Sequence, residues 1–221
     1  MAAVARQRHS PKKSLTEHIA IQKQFLETEL QPALDAARTG TGHAFFVDAA
    51  HFVYGTFLGC LGSIARIFIR AASGRQRFDV SGAWNAIARR SVSVTNTAVV
   101  NTDTLVELLG RIAAENLAGP ITAVLGNAEY QRNGTVQARA AELGIRLLDL
   151  PSYSPNLNRI ERLRRFAKRR SVYGQYHADF ASFRSKIEAT LAGIPTAYAD
   201  ELASLMTLRF QTFENVSLLD A

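Results

Sequence analysis

Apolar and polar positions along this chain follow two rhythms. From Ile19 to about Ala37, Ile21, Phe25, Leu26, Leu30 and Leu34 fall at helical spacing. Ser14-Leu-Thr-Glu17 reads as the capping box that opens this helix, and Pro32 is expected to kink or divide it. After the break at Thr39-Gly-Thr-Gly42, His43–Asp48 is a short apolar run ending in an acid, which predicts a buried strand. Further strands are expected within Thr56–Leu61, from about Arg77 to Trp84, and over Ser91–Thr95, where the alternation is clear. Thr102–Glu115 predicts a helix with Leu105, Leu108, Leu109 and Ile112 on one face. Ile121–Leu125 predicts a strand, Thr135–Leu143 a helix stopped by Gly144, and Ile145–Leu150 a strand ended by Pro151. Helices near 159–173, 179–192 and 198–210 complete the chain. A block of hairpin-like strands followed by alternating helices and strands predicts an α/β fold: a mixed sheet flanked by helices, with a helical C-terminal tail.

Composition sharpens this reading. With 221 residues, 47% of them hydrophobic, the chain can bury one main core. We divide it into a basic arm and linker helix at 1–40, an α/β domain at 41–175, and a C-terminal helical extension of that domain at 176–221. The lone Cys60 allows neither an internal disulfide nor a cysteine zinc site, so a reducing compartment is expected. No apolar signal core follows Arg6, Arg8, Lys12 and Lys13, and Phe52–Ile69 is too polar to span a bilayer. A cytoplasmic location and no membrane partner are the expectations. Lys and Arg number 26 against 19 Asp and Glu, a net charge of +7. That excess suits a polyanionic partner through counterion release, although a soluble protein can simply be basic.

Three places carry candidate chemistry. Asp48 ends a predicted strand in Asp48-Ala-Ala-His51, as a turn residue or as a ligand. Gly126 follows the next long buried strand, where an ordinary glycine turn is the bland reading. The third is Leu150-Pro-Ser-Tyr-Ser-Pro-Asn-Leu-Asn-Arg-Ile-Glu161, a proline- and asparagine-rich loop leading into a helix. Asn158-Arg-Ile-Glu161 can be a capping box. The helix beyond carries Arg162, Arg164, Arg165, Lys168, Arg169 and Arg170, either a solvated face or a track for a phosphate backbone.

Together, Asp48-Ala-Ala-His51, Val-Leu-Gly-Asn-Ala128 and the 150–161 block resemble the three signature segments of the bacterial insertion-sequence branch of the mariner transposase superfamily. The third segment is the most specific, and the resemblance runs from about residue 20 to the C-terminus. It implies an RNase H-like fold with an Asp, Asp, Glu (or Asp) triad, with 41–175 as the catalytic domain. Asp48 then stands for the first acid and Glu161 for the third, with 34 residues between positions 126 and 161, as the superfamily leads one to expect. The second acid belongs at position 126, in a run that in the family reads Leu-Asp-Asn-Ala, and here the residue is Gly126. Arg159 replaces the family's usual proline and Arg164 its usual tryptophan, and Gly62 stands where relatives tend to carry an aromatic.

The resemblance implies metal-dependent DNA strand cleavage and strand transfer, with Mg2+ or Mn2+ as a two-ion site held partly by Asp48 and Glu161. The loss of one ligand at 126 predicts weakened metal binding and impaired cleavage, since two ions about 3.5–4 Å apart stabilise the attacking and leaving oxygens. Glu129 and Asp149 are the acids close enough in sequence to be weighed as substitutes. DNA, as transposon ends and target, is the implied partner, with a homodimer possible and no small-molecule substrate. Arg75, Arg77, Arg162, Arg165, Lys168 and Arg169 are candidate backbone contacts. Full-length relatives carry N-terminal helix-turn-helix domains, and this chain starts in what resembles the linker after them, so sequence-specific readout is expected to be poor. Bacterial, nucleoid-associated localisation follows from the same likeness. The alternatives are a non-enzymatic DNA-binding or dimerising remnant, and an unrelated RNase H-like nuclease. At position 164 a buried unpaired guanidinium would be costly, whereas a peripheral one could lay its stem on apolar surface.

Overall fold

The computed structural model describes residues 15–55, 76–97 and 99–210. The predicted strand at Thr56–Leu61, the Ser14 end of the capping box, Gly62 and Arg75 lie outside the described residues. The first helix, α1 (Leu15–Phe25), passes into a π-helical segment at Leu26–Leu30 and continues as α2 (Gln31–Arg38). Pro32 sits in the first turn of α2, so the expected division falls where the hydrogen-bond register shifts ahead of a residue with no N–H.

The sheet contains β1 (His43–Val53), β2 (Arg77–Asn85), β3 (Ser91–Asn96), β4 (Ile121–Leu125) and β5 (Ile145–Asp149). Its order is β3-β2-β1-β4-β5. The first three strands run antiparallel, and β4 and β5 join β1 in parallel. The helices are α3 (Thr102–Ala113), α4 (Gly134–Glu142), α5 (Ile160–Ser171), α6 (Phe180–Ala192) and α7 (Ala199–Leu205). Short 3-10 turns lie at Glu129–Arg132 and Pro155–Leu157. Asn101 and Asn133 cap α3 and α4 by accepting from Thr104 N and Thr135 N. Asp179 and Ser182 cap α6 reciprocally. The mixed sheet, its flanking helices and the helical C-terminal region are what the residue pattern predicts, and together they form the RNase H-like architecture that the family resemblance implies.

Side-chain alternation along β1 sorts the core into layers. Phe45 and Val47 join Leu105, Leu108, Leu109 and Ile112 of α3 and Val136 and Ala140 of α4. Phe46 points the other way, to Leu30, Leu34, Trp84, Leu163 and Phe166. Ala50 and Phe52 continue on that second side, against Ala167 of α5 and Phe183 and Ile187 of α6. Asp48 therefore falls in phase with Phe46 and Ala50, on the side of the sheet that α5 covers. Among the described residues no helix is long and apolar enough to cross a membrane.

Candidate active site

Asp48 is not at a strand end, as its sequence context suggested. β1 runs five residues further, to Val53, because β2 pairs with it along that whole length, placing Gly82 opposite Asp48. On the other side β4 is shorter. Its parallel pairing with β1 reaches Phe46 opposite Val124, and β4 ends at Leu125. Continued by two residues, this register sets Gly126 level with Asp48. The acid is thus mid-strand in one ladder and beyond the end of the other, which opens its flank to solvent.

The third segment is laid against the same rim. Leu150 N donates to Leu125 O at 3.0 Å, and Asn158 Nδ2 donates to Val47 O at 3.2 Å. Leu157 is fully buried and anchors the 3-10 turn before α5. Tyr153, 90% exposed, holds a left-handed φ of 58° in this loop. Its carbonyl contacts His18 Nε2 at 3.2 Å and accepts from Gln22 Nε2 at 3.4 Å, both from α1. The result is a cavity of about 210 Å³ whose walls include Asp48, Gly126, Asn127, Tyr153, Asn158 and Glu161. The three positions singled out in the sequence thus line one cavity.

The capping box considered for Asn158 and Glu161 does not form. Arg159 is the N-cap of α5 and makes no side-chain cap bond. Asn158 spends its amide on β1, and Glu161 turns to Arg164 one helical turn on. Arg164 Nε donates to Glu161 Oε2 at 2.8 Å, and Arg164 Nη2 donates to Glu161 Oε1. The same Arg164 Nε lies 3.6 Å from Asp48 Oδ2. Arg164 is not an unpaired buried guanidinium: it is half-buried and pairs with both acids of the candidate site. The i,i+3 spacing from Glu161 carried that signal in the sequence, since residues so spaced are neighbours on a helix.

These contacts set the site's electrostatics. Burial pushes the Asp48 carboxyl above its ordinary value; the Ala49 amide and Arg164 pull it back, and the adjoining Glu161 carboxylate pushes it up again. Burial also acts to raise Glu161, but the hydrogen bonds and charges of Arg164 and Arg165 outweigh it and hold the carboxyl low. Arg164 is held above its usual value chiefly by its bond to Glu161. Burial raises the Tyr130 hydroxyl, with a contribution from the charge on Asp48, a neighbour that sequence spacing did not suggest.

A two-ion centre needs hard oxygen ligands at fixed geometry. Position 126 offers no side chain, and a guanidinium bridges the acids at 48 and 161. Glu129 and Asp149 are exposed, and among the described residues no group of three or more His, Cys, Asp or Glu could hold an ion. The donor set therefore does not fit two divalent ions. Space is not the obstacle at 126: a Cβ there would meet Gln131 Oε1 at 3.5 Å, an ordinary contact, and its φ is not left-handed.

The basic candidates divide. Arg77 bonds the buried Asp79 at 3.0 Å and reaches His51 at 3.3 Å. Arg162 donates to Leu205 O at 2.9 Å, at the end of α7. Arg165 and Arg169 are exposed one turn apart on α5, with Arg165 Nε 3.4 Å from Glu161. Lys168 is half-buried, its Nζ 5.9 Å from the Phe52 ring centre.

A 3-2-1-4-5 mixed sheet with one acid on its central strand and another at the start of the covering helix defines a protein of the RNase H-like class. The profile described as DDE superfamily endonuclease matches residues 65–184, more than half of the chain, and the chain belongs to that family. The matched span includes Gly126 and Glu161 and begins after Asp48.

Among solved structures, the catalytic domain of Mos1 mariner transposase is 12% identical with a TM-score of 0.53, covering 92% of this chain and 100% of that one. A pre-cleavage Mos1 transpososome gives a TM-score of 0.54 at 11% identity, covering 95% of this chain and 68% of its own. The simian T-cell lymphotropic virus intasome in complex with PP2A regulatory subunit B56 gamma gives 0.50 at 14% identity, over 68% of this chain and 47% of that one. This chain thus spans under half of the intasome chain and about two thirds of the transpososome chain. At such identities the likeness is one of fold, here mariner-like. No curated protein matches by sequence.

Proposed function

We propose that this chain is the catalytic domain of a cut-and-paste DNA transposase of the bacterial insertion-sequence branch of the mariner superfamily, with strand cleavage impaired. The observation that carries this reading is the convergence of Asp48, Gly126 and Glu161 on one cavity at the rim of the sheet. Asp48 and Glu161 are the retained metal-binding acids, and Gly126 stands in place of the second aspartate. Mg2+ or Mn2+ is the ion class, in keeping with Mos1 paired-end complexes obtained with each. Such an ion would polarise a phosphodiester and activate water. With one carboxylate missing and an arginine among the others, its retention here is weak. Several kcal/mol of transition-state stabilisation are lost, and each 1.36 kcal/mol is about tenfold in rate.

What this chain's residues still supply is a surface for DNA. Arg165, Lys168 and Arg169 run along α5 away from Glu161, and Arg77 lies on β2. Binding through them is salt-sensitive and nearly blind to sequence. Residues 1–40 serve as arm and linker helix, 41–175 as the catalytic domain and 176–221 as its helical extension, in a bacterial, nucleoid-associated setting. Pairing of two copies on two DNA ends is the assembly this reading entails. A non-enzymatic DNA-binding or dimerising remnant is the second reading, favoured by the contact of Arg164 with both acids.

The test is a supercoiled-plasmid nicking assay with Mn2+ and Mg2+, run beside a DNA mobility-shift titration. The expected result is DNA binding without metal-dependent nicking. Nicking by the unmodified chain that Asp48→Asn abolishes would overturn the impairment. Absence of DNA binding at low salt would remove the transposase reading itself.

A further inference from the structure

We propose that Arg164 is the resident counter-ion of the acid pair, filling the electrostatic role of a divalent ion and shutting such ions out. This rests on the reading of Asp48 and Glu161 as ancestral metal ligands, and goes beyond it by giving the site a present occupant.

Geometry makes the case. The guanidinium forks onto Glu161 through Nε and Nη2, a bidentate arrangement that fixes it against the carboxylate. It also reaches Asp48 at 3.6 Å, so one cation serves both acids. Its side chain is 33% exposed and Glu161's is 17%, so solvent screens the pair only partly. Arg164 is held from the next turn of the same helix, which makes its delivery to Glu161 local. Without it, two carboxylates would face each other across a partly buried rim, an arrangement that costs stability unless one binds a proton. Any metal ion must therefore displace a cation that the fold supplies at no loss of translational freedom.

The consequence is that Gly126 is not the sole barrier to metal binding. Restoring a carboxylate at 126 leaves the guanidinium in place on the other two acids. The two changes are therefore coupled: removing Arg164 makes the restored acid available to an ion.

The experiment measures Mn2+ affinity directly, by electron paramagnetic resonance of free Mn2+, in the unmodified chain, Gly126→Asp, Arg164→Met and the double variant. The double variant is expected to bind about tenfold or more tightly than Gly126→Asp, as removal of a unit charge this close requires. Equal affinity in those two variants overturns the exclusion of ions by Arg164. A second arm follows thermal unfolding at neutral pH without metal. Arg164→Met should lower Tm by several degrees, and adding Asp48→Asn should recover much of that loss by removing the repulsion. No recovery overturns the counter-ion role. Absence of Mn2+ binding in the double variant, with recovery intact, overturns the metal-site ancestry and leaves Arg164 as the counter-ion.

Discussion

Asn158 donates its side-chain amide to the carbonyl of Val47, 111 positions earlier and one residue before Asp48. Both partners are buried, so the bond fixes the loop before α5 against β1 and sets the position of Glu161 relative to Asp48. Among the described residues the Asn158 Oδ1 atom has no hydrogen-bond partner, so the amide N–H carries the side chain's contribution. Asn158→Ala leaves a buried carbonyl unpaired, which costs about 1–3 kcal/mol. Urea denaturation should show that loss with little change in slope. A loss below about 0.5 kcal/mol, the size of an ordinary surface substitution, would mean that the loop is held elsewhere.

Gly126 is tolerant of a side chain. A Cβ meets only Gln131 at ordinary distance, and the backbone is not left-handed. Gly126→Ala should therefore keep the fold and gain about 0.4–1 kcal/mol, because alanine narrows the unfolded ensemble. Thermal unfolding checks this, and a clear drop in Tm would show that glycine is required at the end of β4 for backbone reasons. Glycine at 126 would then be a structural choice, and its reading as the remains of an aspartate would weaken.

Much of this architecture was legible because its signals are local. The β4 run Ile121–Leu125 and the α3 stripe Leu105, Leu108, Leu109 and Ile112 are periodic patterns that burial alone enforces, and the structure buries these residues. The limits of β1 were not legible. Asp48 looked like a strand terminus because an acid interrupts an apolar run, but pairing with β2 carries the strand on through His51, which is exposed, to Val53. Tertiary pairing overrides the local pattern there. At Asn158 the sequence offers a local partner, the capping box with Glu161, but the fold takes its side chain to Val47 on a strand 111 positions away. Arg164 stands at a position the family gives to tryptophan, where the sequence leaves open a costly buried charge or a peripheral side chain with its stem on apolar surface. Its pairing with Glu161 follows from helix geometry, but its reach to Asp48 depends on how α5 crosses the sheet.

The acid pair gives a pH signature. Glu161 titrates below its ordinary value of 4.5, so its contribution to stability is full above 4.5 and is lost as pH falls through its lowered folded value. Asp48 is shifted upward from 3.8, so its protonated form favours the fold below 3.8, and that benefit is lost as pH rises through its raised folded value. Arg164→Met removes the main influence holding Glu161 low. The stability gap between the unmodified chain and this variant should be widest at neutral pH and narrow as the solution is acidified through the glutamate range. Thermal unfolding across that range reads the gap, and carboxyl-carbon NMR should show Glu161 titrating higher in the variant. A gap independent of pH would assign Arg164 a packing role instead.

The arginines of α5 differ in what they are free to do, and that difference predicts how each affects DNA binding. Arg165 and Arg169 are exposed, and to reach a phosphate Arg165 gives up only its 3.4 Å contact with Glu161. Arg162 is committed to the Leu205 carbonyl, where it ties α5 to the end of α7. For duplex DNA, log affinity should fall linearly with log salt, and each phosphate contact removed should reduce the slope by about 0.9. Arg165→Ala and Arg169→Ala should each weaken binding by similar factors on unrelated sequences and flatten the slope by about that amount, with little change in Tm. Arg162→Ala should instead lower Tm through loss of a hydrogen bond from a charged group, about 1.5–3 kcal/mol, and leave the salt slope nearly unchanged. Fluorescence anisotropy at several salt concentrations, beside thermal unfolding, separates the two behaviours. If Arg162→Ala flattens the slope as much as Arg165→Ala, the DNA path crosses toward α7 rather than following the exposed face of α5.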